Sequence, residues 1–301
     1  MTVSKAIAPP SRLTLASLDQ EFTLPKRRSR FAFALRNPLF VVSSVWIVVV
    51  LIAAVAPQLL TRFDPYAMDP FSALGPVSAQ HWFGTDEFGR DLFTRVVFGT
   101  SESIKAAVLA VLIGLVAGII VGVTSGYLGG VVDLVIMRLV DTMLSVPSLI
   151  LSLAILTTLG RGTIPIAIAI GVNSIAGTAR LMRSEVLGVK ERPFVEASRF
   201  SGHGTIYRLR RHVVPNSSRS VVNSAILDTG SAILGVASLS FLGLGAPPPT
   251  PEWGALVAEG RSFFPGAWWL SLLPGFVIAA TVLSVYKIAR VLGNSRSSNI
   301  A

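Results

Sequence analysis

The sequence predicts an all-α protein: a polytopic bundle of about six transmembrane helices. Apolar residues make up 51% of the 301 residues and charged residues only 14%, whereas a soluble domain has about a quarter of its residues charged. The charged residues also leave long intervals between them, and roughly 20 apolar residues suffice to cross the hydrocarbon core. Finally, Lys and Arg are concentrated in alternate loops, as topology in a membrane requires.

Six segments free of Asp, Glu, Lys and Arg are candidate spans. They are residues 37–61, 106–132, 142–160, 162–179, 229–251 and 262–286. We expect the fifth span to begin near Ser220 and so to carry Asp228 inside it. The third and fourth are expected to form a tight hairpin around Arg161. Glycine and proline inside these segments are tolerated in lipid, and small residues allow close helix packing.

The basic residues predict the direction of the spans. If the N-terminus is cytoplasmic, the inner segments carry 20 of the 26 Lys and Arg residues, which favours cytoplasmic positions for both termini. The net charge of +10 is then a topology signal, and no basic recognition fold for nucleic acid is evident. The expected layout is a tail over 1–36, a first span over 37–61, an extracytoplasmic loop over 62–103, a five-helix core over 104–290 and a second cytoplasmic tail over 291–301.

Residues 190–216, between the fourth and fifth spans, are predicted to form two short helices meeting at a glycine corner. Pro193 suits a first helical turn, and Gly202 suits the break after it. Thr205 is expected to cap the second helix and Pro215 to stop it. Periodicity alone fits a helix lying on the inner leaflet and a docking element equally well.

This stretch resembles the EAA loop of bacterial ABC import permeases, with Ser198 where that family usually has Ala. The resemblance implies that the loop docks into a cytoplasmic ATPase subunit, a helix-in-groove contact. The residues expected to couple are Glu196, Ala197, Ser198, Gly202, Ile206 and Pro215.

A second segment is similar to the G-T-D-x-x-G-R-D signature of dipeptide/oligopeptide permeases. Its residues are Gly84, Thr85, Asp86, Gly89, Arg90 and Asp91. Further matches follow in order over 129–141, 147–148, 239–245 and 251–254. The ordered set resembles the second permease subunit of such importers, which implies the type I ABC importer permease fold in a bacterial plasma (inner) membrane. From chemistry alone, Asp86, Arg90 and Asp91 are expected to form an ion-pair cluster that fixes the loop.

The resemblance also implies partners and a cargo. The expected partners are a homologous second permease, one or two cytoplasmic ATPase subunits, an extracytoplasmic substrate-binding protein and membrane lipid, with no nucleic acid. The sequence has no Gly-Lys dipeptide and hence no P-loop, so ATP and Mg²⁺ are expected on partner subunits and no cofactor in this chain. Peptide is the expected cargo; nickel complexes, opines, glutathione and oligosaccharides, carried by similar permeases, stay open.

Two residues are candidates for the substrate path. Asp228 replaces what is normally a small residue in the family, and an acid inside a span is costly unless it faces a cavity or a partner. It either contacts substrate, for instance a peptide ammonium, or lies near the inner mouth, hydrated or paired with Arg219 or with another subunit. Trp253, in the outer loop over 246–266, either faces the path or anchors the loop at the membrane interface.

Two other classes of protein were weighed. An ion-coupled secondary transporter often shows inverted repeats and several buried ionisable groups, but the sequence shows no internal repeat and one buried acid. An intramembrane zinc protease needs His-Glu-x-x-His, which is absent, and all three histidines fall in predicted loops. With no cysteine, a thiol nucleophile is also excluded. The chain is therefore expected to be a transporter subunit and not an enzyme.

Overall fold

The computed structural model describes residues 37–297, and within that range it contains α-helices and short helical turns but no β-sheet. The helices are α1 Pro38–Val55, α2 Leu92–Leu128, α3 Gly130–Ser145, α4 Ser148–Leu159, α5 Thr163–Lys190, α6 Pro193–Phe200, α7 Thr205–Phe241, α8 Trp253–Gly260 and α9 Trp269–Ser297. The tail predicted over 1–36 lies outside the described residues. So do residues 298–301 of the second tail, whereas 291–297 continue α9.

Five helices, α1, α2, α5, α7 and α9, are long and apolar enough to cross a membrane. Helices α3 and α4 pass the same test only as a pair, and they are bent by 96° from each other, as in a broken span or a re-entrant loop. The span predicted over 142–160 is therefore not a single helix, because it contains the end of α3, the bend and α4. Pro147 has no N–H to continue α3 and restricts Val146 to an extended conformation, so the chain turns there and restarts at Ser148.

Helix α2 begins at Leu92, inside the segment predicted as an extracytoplasmic loop. The Asp91 carboxylate caps it by accepting from the Thr94 amide at 2.8 Å. With 37 residues the helix is about 55 Å long, well beyond the roughly 30 Å hydrocarbon core. The basic residues that interrupt its apolar sequence form ion pairs: Arg95 pairs with Glu259, and Lys105 pairs with Glu102. Its first turns therefore stand above the membrane-spanning part.

The most extensive helix pair is α2 with α5, and a row of glycines makes it close. Gly114, Gly118 and Gly122 recur every four residues and so share one face of α2. A Cβ added at Gly118 would lie 2.5 Å from Thr178 Cβ. One added at Gly122 would lie 2.5 Å from the Ala179 carbonyl oxygen. The small residues predicted to allow close packing are therefore in direct helix contact.

The prediction that Pro215 stops a short second helix was wrong, because α7 runs through it to Phe241. The segment Leu209–Val213, just before the proline, is π-helical. A π-turn is wider than an α-turn, so it accommodates the ring and the missing N–H of the proline. The Asn216 side-chain amide also donates to the carbonyl of His212. The loop predicted over 190–216 is thus partly the first turns of a spanning helix.

Candidate functional site

Helix α6 carries three of the six predicted coupling residues and has one buried and one exposed side. Pro193 begins the helix, as predicted. Val195 and Ser198 are buried against the neighbouring helices, whereas Glu196 and Ala197 are exposed. The small hydroxyl side chain of Ser198 therefore serves packing, and the free side of α6 presents a carboxylate next to a methyl group.

A compact apolar cluster joins α6 to the C-terminal part of α5 and the N-terminal part of α7. Its buried members are Met182, Val186, Val195, Val213 and Val221. Because interiors are close-packed and resist deformation, a displacement of α6 is transmitted to both spanning helices. The corner between α6 and α7 is a tight turn: Gly202 has φ +79°, and His203 stacks on Tyr207 with ring centroids 4.2 Å apart.

Ile206, Leu209 and Val213 recur at helical spacing in the sequence, but they do not form a single buried face. Val213 is fully buried and Leu209 partly buried, but Ile206 is 72% exposed. The π-helical turn between them changes the number of residues per turn, which moves Ile206 off the face. Together with Phe200, which is 82% exposed, Ile206 forms an apolar surface at the outside of the corner, and Gly202 and Pro215 are also exposed.

The segment that resembles the G-T-D-x-x-G-R-D signature, residues 84–91, forms a buried ion-pair cluster. Arg90 Nε donates to Asp86 Oδ2 at 2.6 Å, which confirms the predicted pair. Arg95 also donates to Asp86, at 3.2 Å, and to Glu259 of α8 at 3.1 Å. Asp91 differs from the prediction, since it caps α2 and lies 2.9 Å from His81 Nδ1 instead of pairing with an arginine. Sequence reasoning missed Arg95 and Glu259, because nothing in their spacing relates them across 164 positions.

The glycines and Thr85 of the signature hold two outer segments against each other. Gly84 and Gly89 have φ of +71° and +75°, a region that favours glycine. A Cβ at Gly89 would lie 1.8 Å from the Asp69 carbonyl oxygen. The Thr85 hydroxyl accepts from the Gly75 amide at 2.8 Å and donates to a carbonyl of the same segment. Among residues 37–297, the contacts of these residues therefore stabilise the conformation of the loop.

Trp253 is buried, which contradicts both roles predicted for it. Only 1% of it is exposed, and its Nε1 donates to the Val96 carbonyl of α2 at 3.1 Å. Glu252 beside it caps α8, accepting from the Gly254 and Ala255 amides at 3.2 Å each. Ser103 of α2 donates to the same carboxylate at 3.0 Å, and burial raises the pKa of the Glu252 carboxyl above its ordinary 4.5. Trp253 therefore anchors this loop in the protein core.

Asp228 lies where two cavities of about 330 Å³ each meet between α5 and α7. Within residues 37–297 it forms no ion pair, so the predicted alternative of pairing with Arg219 is not realised. The described residues also contain no group of three or more His, Cys, Asp or Glu placed to hold a metal ion.

A family comparison now identifies the class of protein. Residues 114–297 match the family described as "Binding-protein-dependent transport system inner membrane component". The chain belongs to this family. It is an ABC importer permease subunit of the second-permease type found in dipeptide and oligopeptide systems, as its motifs indicated. Membership places this permease in the inner membrane as a multi-pass protein and makes ATPase and substrate-binding proteins its partners.

Three curated relatives are similar to this permease over most of their length. A probable D,D-dipeptide transport system permease protein of Escherichia coli (strain K12) is 40% identical, over 82% of this chain and 83% of the relative. A dipeptide transport system permease protein of Alkalihalophilus pseudofirmus (strain ATCC BAA-2126 / JCM 17055 / OF4) is 37% identical, over 90% and 89%. A glutathione transport system permease protein of Shigella flexneri serotype 5b (strain 8401) is 39% identical, over 83% and 82%.

Two solved structures share the fold of this permease. An amino acid ABC transporter with histidines matches with TM-score 0.53 and 17% identity, covering 67% of this chain and 94% of that chain. The inward-facing MetNI methionine ABC transporter matches with TM-score 0.51 and 17% identity, covering 65% and 95%. At this identity the likeness concerns the fold alone. It confirms the helical, type I ABC permease architecture predicted from the sequence.

Proposed function

We propose that this permease forms half of the translocation path of a bacterial peptide importer, beside a homologous second permease. The dipeptide permeases among its relatives support a peptide cargo. ATP and Mg²⁺ bind to the cytoplasmic ATPase partners, and this chain is a transporter subunit without catalytic residues of its own. The distribution of Lys and Arg supports cytoplasmic termini, with residues 62–103 and 246–266 on the outside.

Coupling to the ATPases is assigned to the exposed side of α6 and the adjoining corner. The observation that carries this assignment is the buried cluster that joins α6 to α5 and α7, because a docked element must be rigidly connected to what it moves. The exposed Ile206 and Phe200 supply apolar area for a partner groove. In this mechanism, ATP-driven approach of the ATPase subunits displaces α6, and α5 and α7 follow, which switches the access of the path between the two sides.

Peptide cargo is tested on the assembled complex. We expect dipeptides, presented with the binding protein, to stimulate ATP hydrolysis by the purified complex. A glutathione permease is also among the relatives, so glutathione is the second candidate and is assayed in parallel. Stimulation by glutathione but by no simple dipeptide would reassign the cargo, and stimulation by neither would contradict the peptide proposal.

The coupling assignment is tested with charge changes at the corner. We expect Glu196→Lys and Gly202→Asp to abolish uptake while the protein stays in the membrane. Gly266→Asp is the matched control, because it makes the same exchange in the loop before α9, away from the corner, where an added Cβ meets nothing within 4 Å. Since the chain has no cysteine, Ala197→Cys also gives a single site for cross-linking to the ATPase. Full uptake by both corner variants, or cross-linking to lipid only, would contradict the assignment.

A further inference from the structure

Two cavities that each contain polar side chains meet at Asp228, inside the membrane-spanning part of the protein. The outer cavity lies between α4, α5 and α7, and the inner one between α5 and α7 near the end of α3. Asn173, Ser174 and Asp228 line both. Phe241, the end of α7, lies 13 residues after Asp228, or about 20 Å along the axis. The junction is therefore deep in the hydrocarbon layer, where a charge is costly.

Hydroxyl groups extend from this junction toward both ends of the helices. Besides the shared residues, the polar lining of the outer cavity includes Ser148, Ser152, Ser231 and Ser238, and that of the inner cavity includes Thr178 and Ser224. Small hydroxyl residues are common where membrane helices pack closely, but these residues line open space between the helices. The row marks a continuous polar track between α5 and α7.

Two acceptors at the junction have no partner. The Asn173 Nδ2 donates to the Ser148 carbonyl at 3.0 Å and to Ser152 Oγ at 2.7 Å. Because the carbonyl only accepts, the orientation of the amide is fixed, and the buried Oδ1 on its other side is left without a hydrogen bond. The Asp228 carboxylate forms no hydrogen bond or ion pair among residues 37–297. Nor does any Lys, Arg or His of this range line either cavity.

The acceptors at the junction indicate which chemical group would bind there. A primary ammonium carries one positive charge and three N–H donors and accepts nothing, so it complements a carboxylate beside an amide oxygen. A hard metal ion would need six or more oxygen ligands, commonly several carboxylates, and the described residues offer no acidic cluster. We propose that Asp228 binds the ammonium group of the substrate during its passage. This inference rests on the proposed peptide-import function.

The absence of cysteine allows a direct test of charge preference in the cavities. Ser231→Cys in the outer cavity and Ser224→Cys in the inner one lie within one turn of Asp228. In the complete complex, each thiol is reacted with a cationic and an anionic methanethiosulfonate reagent. We expect Asp228→Asn to lower the ratio of the cationic to the anionic rate about tenfold, and Asp228→Glu to leave it within about twofold. Glu185→Gln is the control, because this α5 carboxylate lines neither cavity.

Uptake measurements then identify the cation. In the same complexes, Asp228→Asn is expected to reduce uptake of a dipeptide with a free amino group at least fivefold (about 1 kcal/mol). Asp228→Glu should restore most of it. Replacing sodium and potassium by N-methylglucamine should change nothing, whereas loss of uptake would mean that an inorganic ion occupies the site and would overturn the proposal.

Three other results would also overturn it: a rate ratio unchanged by Asp228→Asn, thiols that react with neither reagent, or full uptake by Asp228→Asn. Failure of the proposed function looks different, because the wild-type complex would then take up no peptide. In that case the substrate assignment falls with it, and the rate ratio alone decides whether the junction attracts cations.

Discussion

Replacing Gly122 of α2 by alanine tests the close contact between α2 and α5. The added carbon would lie 2.5 Å from the Ala179 carbonyl oxygen and 2.6 Å from Met182 Cβ, whereas ordinary contacts begin at 3.4 Å. Neither atom is at the end of a flexible side chain, so the helices must separate locally by about 0.9 Å. Overpacking of this kind costs about 1–3 kcal/mol. The higher helix propensity of alanine offsets up to about 1 kcal/mol of that.

Gly188→Ala in α5 is the matched control, because a Cβ there meets nothing within 4 Å. It keeps the gain in propensity and has no overpacking, so the difference between the two variants isolates the packing effect at about 1–3 kcal/mol. The measurement is the free energy of unfolding of each purified variant in mixed micelles, from titration with denaturing detergent. Equal values within about 0.5 kcal/mol would show that α2 and α5 are not in this contact.

Three further perturbations address other contacts. Because the folded state holds the Glu252 proton more tightly than the unfolded chain, the free energy of unfolding should fall as the pH rises from about 4.5 through the raised pKa. Glu252→Gln should flatten this dependence on pH, as measured by thermal unfolding. An unchanged dependence would contradict the burial of the Glu252 carboxyl. Trp253→Phe removes the indole bond to a carbonyl of α2 and should lower the free energy of unfolding by about 1 kcal/mol in the same titration. Asp133→Asn breaks an ion pair in which Arg183 donates two hydrogen bonds of 2.6 Å each. It should lower the free energy of unfolding by about 1 kcal/mol more than Asp141→Asn, because the ion pair of Asp141 with Arg180 is exposed. Equal effects of the two variants would refute that ranking.

The spanning helices could be predicted because hydropathy and charge spacing act locally along the chain. The start of α2 could not, since Arg95 reads in the sequence as a residue that ends a span. Only the fold shows that Asp86 and Glu259 neutralise it. The same holds for Pro215, which ends a helix unless the preceding turn is widened, as the π-helical segment Leu209–Val213 does. Local rules fail in these places because a tertiary contact or an unusual turn outweighs them.

The candidate sites divide in a similar way. Asp228 is conspicuous in the sequence, because an acid inside a predicted span is costly wherever it faces lipid. Asn173 is not, since amides occur in many helices, and its unpaired Oδ1 depends on where Ser148 and Ser152 lie across the bend between α3 and α4. Trp253 was predicted to be a path or interface residue but is buried. The sequence of an outer loop does not show whether an aromatic side chain points to lipid or into the core.

One continuous helix connects the two ends of the proposed mechanism. Helix α7 begins at the coupling corner, carries Val213 and Val221 in the cluster that holds α6, and passes Asp228 before ending at Phe241. A helix without a break transmits a displacement along its axis, whereas a helix stopped at Pro215 would have left a flexible joint between α6 and the cavities. The π-helical turn therefore has a mechanical consequence: it lets a proline-containing sequence remain one rigid element. In the proposed mechanism, movement of α6 then also moves Asp228, which lines the two cavities.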